Sequence, residues 1–306
     1  MKPRLVSDLE GELPQGLSRA RSLPASAVGD LWRSIISAAE LRARLVSQAA
    51  LNFTVRGKVS RDILPLHGII LLTGLPGTGK TSLARGLAHR VAETFPSQRF
   101  RLLEVEPHSL TSSAMGKTQR AVSDLFAQTI AEAAMQGPTI VLLDEVETLA
   151  VDRSRLSMDA NPIDIHRATD AVLVQLDLLA ETHPHLLFNA TSNVPGAIDD
   201  ALTSRSDLVL EGPLPDAAAR AEILKQCLEG LGPHFPRIAK LAKGKDLERC
   251  AAECADLDGR AIRKMVANAM AFDPKVALNP DILTIDHLMA AAREARRHRI
   301  RAAEGA

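Results

Sequence analysis

Residues 74–81 form a glycine-rich segment that ends in a lysine and a threonine. It matches the pattern G-x-x-x-x-G-K-[ST], in which backbone N–H groups and a helix N-terminus cradle the phosphates of a nucleotide. Lys80 is placed to reach the β- and γ-phosphates, and the Thr81 hydroxyl is placed to ligate Mg²⁺. A glycine-rich turn that binds nothing is the alternative, and the apolar strand before it and the helical pattern after it count against that alternative. The predicted triphosphate-binding residues are Gly74, Pro76, Gly77, Thr78, Gly79, Lys80, Thr81 and Ser82.

Two adjacent carboxylates, Asp144 and Glu145, follow the apolar run 139–143. In open parallel sheets, ligands bind at the carboxyl ends of the strands. We expect Asp144 to hold Mg²⁺ and its hydration shell, and Glu145 to orient and deprotonate the attacking water. A surface strand end would show the same pair, so this interpretation depends on the phosphate-binding segment. Together the two motifs predict hydrolysis as well as binding.

Two further polar residues lie near predicted strand ends. Asn193 follows the run 186–190, where its amide can hydrogen-bond the γ-phosphate and the attacking water; a turn-favouring Asn is the alternative. Arg205 precedes the run 207–210, on the side of the sheet away from its own nucleotide. An arginine placed there is suited to contact the γ-phosphate of a neighbouring subunit. Arg205 therefore predicts a site shared between subunits.

A framework of alternating strands and helices would position these residues. The periodicity predicts strands near 67–73, 100–105, 139–143, 186–190 and 207–210, and helices near 80–94, 117–136 and 162–181. This alternation predicts an α/β fold with a parallel sheet covered on both faces.

The flanking segments differ from this alternation. Residues 1–28 are polar and interrupted by prolines, which predicts an irregular N-terminal arm, and residues 31–51 have the spacing of one amphipathic helix. After Gly212-Pro213 the pattern is helical only, near 216–231, 237–255, 260–271 and 284–299. The predicted domains are the arm 1–28, an α/β domain 29–213 and an all-helical domain 214–306.

Composition narrows the classes of partner and compartment. Lys and Arg (37) balance Asp and Glu (37), and aromatic residues make up 3%, which argues against a nucleic-acid partner. No apolar run has the length of a membrane span or a signal peptide, so no membrane association is expected. The three cysteines, Cys227, Cys250 and Cys254, form no metal-binding pair and favour buried thiols in a reduced cytoplasmic protein.

This set of motifs resembles the AAA+ ATPases. Residues 74–81 are similar to their Walker A motif, residues 142–145 to Walker B, and Asn193 to sensor 1. Arg205 resembles their arginine finger, and Arg260 their sensor 2, which reaches from the lid to the phosphates. The resemblance implies a five-stranded parallel sheet, a small helical lid, and a homohexameric ring with ATP and Mg²⁺ at the subunit interfaces.

Several stretches narrow the resemblance to the pachytene-checkpoint, or thyroid-hormone-receptor-interactor, group. They are residues 31–36, 108–110, 143–149, 171–177 and 190–193. The resemblance implies a protein that grips the N-terminal region of a HORMA-domain protein and unfolds it, which converts closed HORMA to open. Bacterial members accompany HORMA proteins and nucleotide cyclases in anti-phage signalling. We expect a bacterial member, because the adaptor-binding domain of eukaryotic members is lacking.

The predicted pore tip departs from that group. Ser113, Ala114 and Met115 stand where an aromatic pore residue is usual. A methionine can grip a peptide by soft apolar contact, so brief partial unfolding is expected rather than strong processive threading; a simple loop is the alternative. The alternative function is another AAA+ class, clamp-loader-like or chaperone-type, that acts on DNA assemblies or another enzyme. A non-hydrolysing scaffold is disfavoured because Glu145, Asn193 and Arg205 are all present together.

Overall fold

The computed structural model describes residues 13–36, 39–110, 117–150 and 162–304. The predicted pore residues Ser113, Ala114 and Met115 lie outside the described residues. The chain divides into two compact units. The first comprises Met1–Gly74 and Lys80–Glu211, and the second comprises Leu75–Gly79 and Gly212–Ala306.

The first unit is built on a six-stranded sheet. Its strands are β1 (Leu17–Leu23), β2 (Ile69–Thr73), β3 (Phe100–Val105), β4 (Thr139–Leu143), β5 (Leu186–Thr191) and β6 (Leu208–Glu211). Their order is β1-β3-β4-β5-β2-β6. All neighbours pair in parallel except β1, which pairs antiparallel with β3. The five predicted parallel strands are confirmed, and the carboxyl ends of β4, β5 and β2 lie side by side.

Both faces of the sheet are buried. Strands β2, β4 and β5 are buried along their whole length, because helices cover both sides of a parallel sheet. Successive side chains alternate between two cores, so that Leu71 and Val141 pack in one core and Ile70 and Ile140 in the other. The strands that carry the candidate site are therefore fixed from both faces.

The helices predicted near 80–94, 117–136 and 162–181 are confirmed among the helices of the first unit. The helices of this unit are α1 (Ser26–Ser34), α2 (Ala39–Val55), α3 (Lys80–Thr94), α4 (Lys117–Asp124), a π-helical segment (Leu125–Ile130), α5 (Ala131–Met135), α6 (Pro162–Thr182) and α7 (Asp200–Arg205). The predicted helix 117–136 thus contains a π-helical segment in its middle.

The prediction of an irregular arm over 1–28 was wrong for its second half. Residues 17–23 form the edge strand β1, which pairs with β3 from Leu17 opposite Val105 to Leu23 opposite Phe100. Only Leu17 and Leu23 are buried, and Arg19 and Arg21 lie between them. Charged residues are typical of edge strands, and they removed the apolar alternation by which a strand is recognised.

The single helix predicted over 31–51 was also wrong. The chain leaves helix α1 at Ile35, whose backbone is extended, and helix begins again at Ala39. Two consecutive β-branched residues, Ile35 and Ile36, disfavour continuation of the helix. Trp32 is buried and packs its backbone and Cβ against Gly86 of α3, as a packing anchor does.

The second unit is helical where the structure describes it. Its helices are α8 (Ala217–Leu231), α9 (Pro236–Leu241), α10 (Leu247–Glu253), α11 (Gly259–Ala271), α12 (Pro274–Leu278) and α13 (Ile285–Glu304). The predicted helix 237–255 is two helices, α9 and α10, with Gly244 between them. Cys250 and Cys254 are fully buried, and all three cysteines are free thiols. Within the described ranges, no helix of the chain combines the length and apolarity needed to cross a membrane.

Candidate functional site

The phosphate-binding segment connects β2 to α3. Gly74, Gly77 and Gly79 have positive φ angles of 135°, 85° and 89°, which turn the chain sharply between the strand and the helix. Lys80, the first residue of α3, is buried at 6% exposure, and its Nζ donates a hydrogen bond of 2.8 Å to the Gly74 carbonyl. The backbone therefore curls around the lysine. A 15-residue helix directs its N-terminus at the same point, which suits an anion.

Residues 75–79 belong to the second unit, where they contact the start of α11. The Arg260 N–H donates to the Gly77 carbonyl at 3.3 Å. A Cβ built on Gly77 would lie 2.2 Å from Oδ1 of Asp258, the carboxylate that also caps α11 by accepting from the Ala261 N–H. Position 77 therefore needs a glycine for two reasons: its φ angle is positive, and the Asp258 carboxylate leaves no room for a Cβ. The Arg260 side chain is exposed.

The predicted Mg²⁺ ligands are brought together. Thr81 Oγ1 donates to Asp144 Oδ1 at 2.8 Å, which joins the start of α3 to the end of β4. Thr191, the last residue of β5, donates to the same carboxylate oxygen. Hydroxyl and carboxylate oxygens are hard donors of the kind that Mg²⁺ prefers, so this pair fits the predicted ion.

Glu145 is held in an unusual backbone conformation. Its φ of 53° lies in the left-handed region, which non-glycine residues seldom adopt outside strained functional positions. Asn193 Nδ2 donates to Oε1 at 3.2 Å, and His108 Nε2 donates to Oε2 at 3.2 Å. The Glu145 N–H donates to Thr191 Oγ1 at 3.4 Å. Both carboxylate oxygens and the backbone amide are therefore fixed by neighbouring elements.

Three residues at this site were missed at the sequence level. Thr191 bridges the two acidic residues, His108 contacts Glu145, and Glu147 accepts from the Asn193 N–H at 3.1 Å. His108 lay in a stretch that carried the family resemblance, without an assigned role. For Thr191 the available signal was its position two residues before Asn193 on a buried strand.

A cavity of about 240 Å³ lies in front of the two carboxylates. A water molecule takes about 30 Å³, so the cavity has room for several of them. Arg85 and the buried Glu104, which also line this cavity, form an ion pair, with Nε to Oε2 at 3.0 Å. The residues that line the cavity include Ser18, Arg85, Glu104, His108, Asp144 and Glu145.

Arg205 lies away from this cavity, at the amino-terminal edge of the parallel strands. Asp207, two residues later, accepts from the N–H groups of His67 and Gly68, which precede β2, at 2.7 Å each. The phosphate-binding segment follows the carboxyl end of the five-residue β2. The length of that strand, roughly 16 Å, therefore separates the end of the sheet near Arg205 from the end where the phosphate-binding segment begins. The structure does not bring Arg205 to its own chain's Lys80.

Arg205 is paired with Asp177 of α6. Its Nε donates to Oδ1 at 2.9 Å and its Nη2 to Oδ2 at 2.8 Å, a bidentate contact, while Nη1 donates to the Ala201 carbonyl at 2.8 Å. The hydrogen bond from Arg205 lowers the pKa of Asp177, and the same bond raises the pKa of Arg205. Both groups are ionised at neutral pH.

Comparison with known proteins places this geometry in context. The model of the "ATPase family associated with various cellular activities (AAA)" matches residues 70–214. The chain is 62% identical to the CD-NTase-associated protein 6 of Pseudomonas aeruginosa, over 95% of this chain and 96% of that protein. It is 34% identical to the pachytene checkpoint protein 2 homologue of Arabidopsis thaliana, over 82% of this chain but only 61% of that longer protein.

A solved structure has the same fold. It is the E. coli MS115-1 HORMA:CdnC:Trip13 complex, in which a chain is similar to this one with a TM-score of 0.73 and 18% identity. The similarity covers 93% of this chain and 97% of that chain.

Proposed function

We propose a function for this chain from its family: it belongs to the AAA family of ATPases and, within it, to the group of CD-NTase-associated protein 6 and the pachytene checkpoint proteins. The proposed function is the remodelling of a HORMA-domain protein, driven by ATP hydrolysis. Family membership makes the chain a nucleotide-binding ATPase. The observation that carries the hydrolytic part of the proposal is the contact of Asn193 with Glu145 beside the pair formed by Thr81 and Asp144.

The hydrolytic step follows from these contacts. Backbone N–H groups of residues 74–81 and the ammonium of Lys80 bind the phosphates of ATP and offset their charge. Thr81 and Asp144 would hold Mg²⁺, which neutralises developing charge on the phosphates when bound. Glu145 accepts a proton from a water molecule in the adjoining cavity, and Asn193 keeps its carboxylate turned toward that water.

Arg205 supports a shared site. Its distance from the phosphate-binding segment of its own chain leaves the γ-phosphate of a neighbouring subunit as its target. Contacts of this head-to-tail kind close into rings, and we propose a homohexamer. Arg260, beside Gly77 at the start of α11, is proposed to contact the phosphates as sensor 2.

The partner is proposed from the relatives. The 62%-identical relative is named for its association with CD-NTases, and the solved complex contains a HORMA protein together with CdnC and Trip13. We propose that this chain, in the cytoplasm, grips a HORMA protein through Ser113, Ala114 and Met115 and converts it from closed to open. The result would be disassembly of HORMA complexes and lowered anti-phage cyclase signalling.

The test is a disassembly assay with a bacterial HORMA-domain protein. A preformed HORMA–peptide complex should be disassembled in an ATP-dependent manner, and the HORMA protein should stimulate ATPase activity. Glu145→Gln should bind ATP yet lose both activities, whereas Glu181→Gln, on the exposed face of α6, should retain both. Disassembly by Glu145→Gln at the wild-type rate, or stimulation by DNA in place of the HORMA protein, would contradict the proposal.

The shared site has a separate test. Arg205→Ala should bind ATP without turnover, because each active site lacks its arginine. Mixed with Lys80→Ala subunits, which retain Arg205, it should regain part of its activity. A mixture no more active than its separate components would argue against the arginine acting between subunits.

A further inference from the structure

We propose that Asp177 is a positioning residue that holds the Arg205 guanidinium in the orientation in which it meets the phosphate of the neighbouring subunit. This inference rests on the proposed role of Arg205 between subunits. It is carried by the contacts of Arg205: the bidentate pair with Asp177 at 2.9 and 2.8 Å and the bond to the Ala201 carbonyl at 2.8 Å.

The pairing leaves the arginine able to bind a phosphate. A guanidinium has five N–H donors, and three of them are used by Asp177 and Ala201. The two that remain are one on each Nη atom, and both can donate to the oxygens of a phosphate. Arg205 can therefore keep its partner while it binds the ligand, and Asp177 fixes the plane of the guanidinium.

The carboxylate is itself anchored. Asp177 lies within α6, a 21-residue helix, and its neighbours Leu176 and Leu179 are buried in the core at 1% and 2% exposure. A free arginine side chain loses much of its rotamer entropy when it is fixed in one conformation. Asp177 imposes most of that order before any ligand arrives, which is how pre-organisation raises the rate of a positioned group.

Neighbouring charges favour this pairing. His67 Nε2 lies 3.8 Å from Asp177 Oδ1, but burial and then the charge of Arg61 lower the pKa of His67. The imidazole is therefore mainly neutral at neutral pH and does not compete as a cation. The charge of Asp177 is thus directed to Arg205, whose side chain remains 26% exposed for an external ligand.

The test compares Asp177→Asn with Glu181→Gln, which removes a solvent-exposed carboxylate from the same helix. We expect Asp177→Asn to lower kcat about tenfold to a hundredfold, the range typical of a misplaced catalytic contact, while KM for ATP changes less than about twofold. Glu181→Gln should match the wild type. In the Arg205→Ala background, Asp177→Asn should cause no further loss, because Asp177 acts only through that arginine.

Mixed rings separate positioning from a structural role. Subunits with Asp177→Asn have an intact Lys80, so Lys80→Ala neighbours, whose Asp177 and Arg205 are intact, should restore their turnover. Absence of restoration, or wild-type kcat in Asp177→Asn, would overturn the inference. If Arg205→Ala itself turned over ATP normally, the proposed shared site would be wrong instead.

A second variant covers the case in which Asp177→Asn unfolds. Asp177→Glu keeps the charge but displaces it, so it should fold and show a smaller loss in kcat. Full wild-type kcat in Asp177→Glu would contradict the inference.

Discussion

Thr191→Val isolates the contribution of one hydroxyl to the geometry of both acidic residues. Thr191 is buried at 2% exposure, and valine has nearly the same shape, so the substitution opens no cavity. The hydroxyl donates to Asp144 Oδ1 and accepts from the Glu145 N–H at 3.4 Å. Its removal takes one donor from a carboxylate and the acceptor from a strained backbone amide.

These two lost hydrogen bonds determine how far the free energy of unfolding should fall. Asp144 keeps Thr81 as a donor, so its loss is that of one hydrogen bond to a charged group that remains partly hydrated, about 1.5 kcal/mol. The Glu145 amide loses an acceptor at a long distance, which adds about 0.5 to 1 kcal/mol. We expect the free energy of unfolding to fall by about 2 kcal/mol and Tm by about 5 °C. Because Glu145 is then less constrained in its left-handed conformation, kcat should fall about tenfold or more.

Steady-state ATPase assays and thermal unfolding check this prediction. Thr191→Ser keeps the hydroxyl and should retain most of the turnover. Thr182→Val is the matched control, since the exposed Thr182 hydroxyl donates to the Leu178 carbonyl of its own helix, far from either acidic residue in the chain. If Thr191→Val turned over ATP at the wild-type rate with unchanged Tm, the hydroxyl bridge would have no role in placing Glu145, and the reasoning would be refuted.

Further predictions concern backbone angles and one ion pair. Gly77→Ala should weaken ATP binding, measured by titration, because the new Cβ meets Asp258 at 2.2 Å and φ is 85°; unchanged affinity would contradict this. Gly230→Ala, in α8 with no neighbouring atom within 4 Å, should instead stabilise the chain by about 0.5–1 kcal/mol in urea unfolding. The hydrogen bond from Arg205 lowers the pKa of Asp177 in the folded state. The stability that the ionised Asp177 contributes is therefore present above about pH 4, the pKa of an unfolded Asp, and is lost as the pH falls through the lower pKa of the folded state. The difference in urea midpoint between wild type and Asp177→Asn should therefore shrink in acid, and a constant difference would refute the assignment.

The fold could be predicted where local pattern and buried contacts agree. Strand β3 was predicted at its observed bounds, and β4 likewise, because each is a short segment rich in apolar residues that is followed by a polar residue. Helix α3 was predicted to the residue for a similar reason: a glycine-rich turn precedes it, and its apolar side is continuous. In these elements the local propensity and the tertiary environment favour the same structure.

The remaining features depend on contacts between distant segments. The edge strand β1 exists because β3 offers it a hydrogen-bonding partner, and its own residues carry little apolar signal. Thr191 reaches Asp144 because β4 and β5 pair in a register that sets Leu143 opposite Ala190. A shift of that register by one residue would turn Thr191 to the other face of the sheet. Such a register is a property of the assembled sheet and has no counterpart in either strand alone.

The conformation of Glu145 shows how the sheet order and the chemistry depend on each other. In a regular strand, successive side chains point to opposite faces, so Asp144 and Glu145 could not both be placed at one cavity. The left-handed turn at Glu145 removes this alternation, at a strain of about 1–2 kcal/mol. Hydrogen bonds with Thr191 at the end of β5, with Asn193 just after β5, and with His108 after β3 offset that strain. Because these partners come from the strands on either side of β4, the strained residue is stable only in a sheet with the order β3-β4-β5.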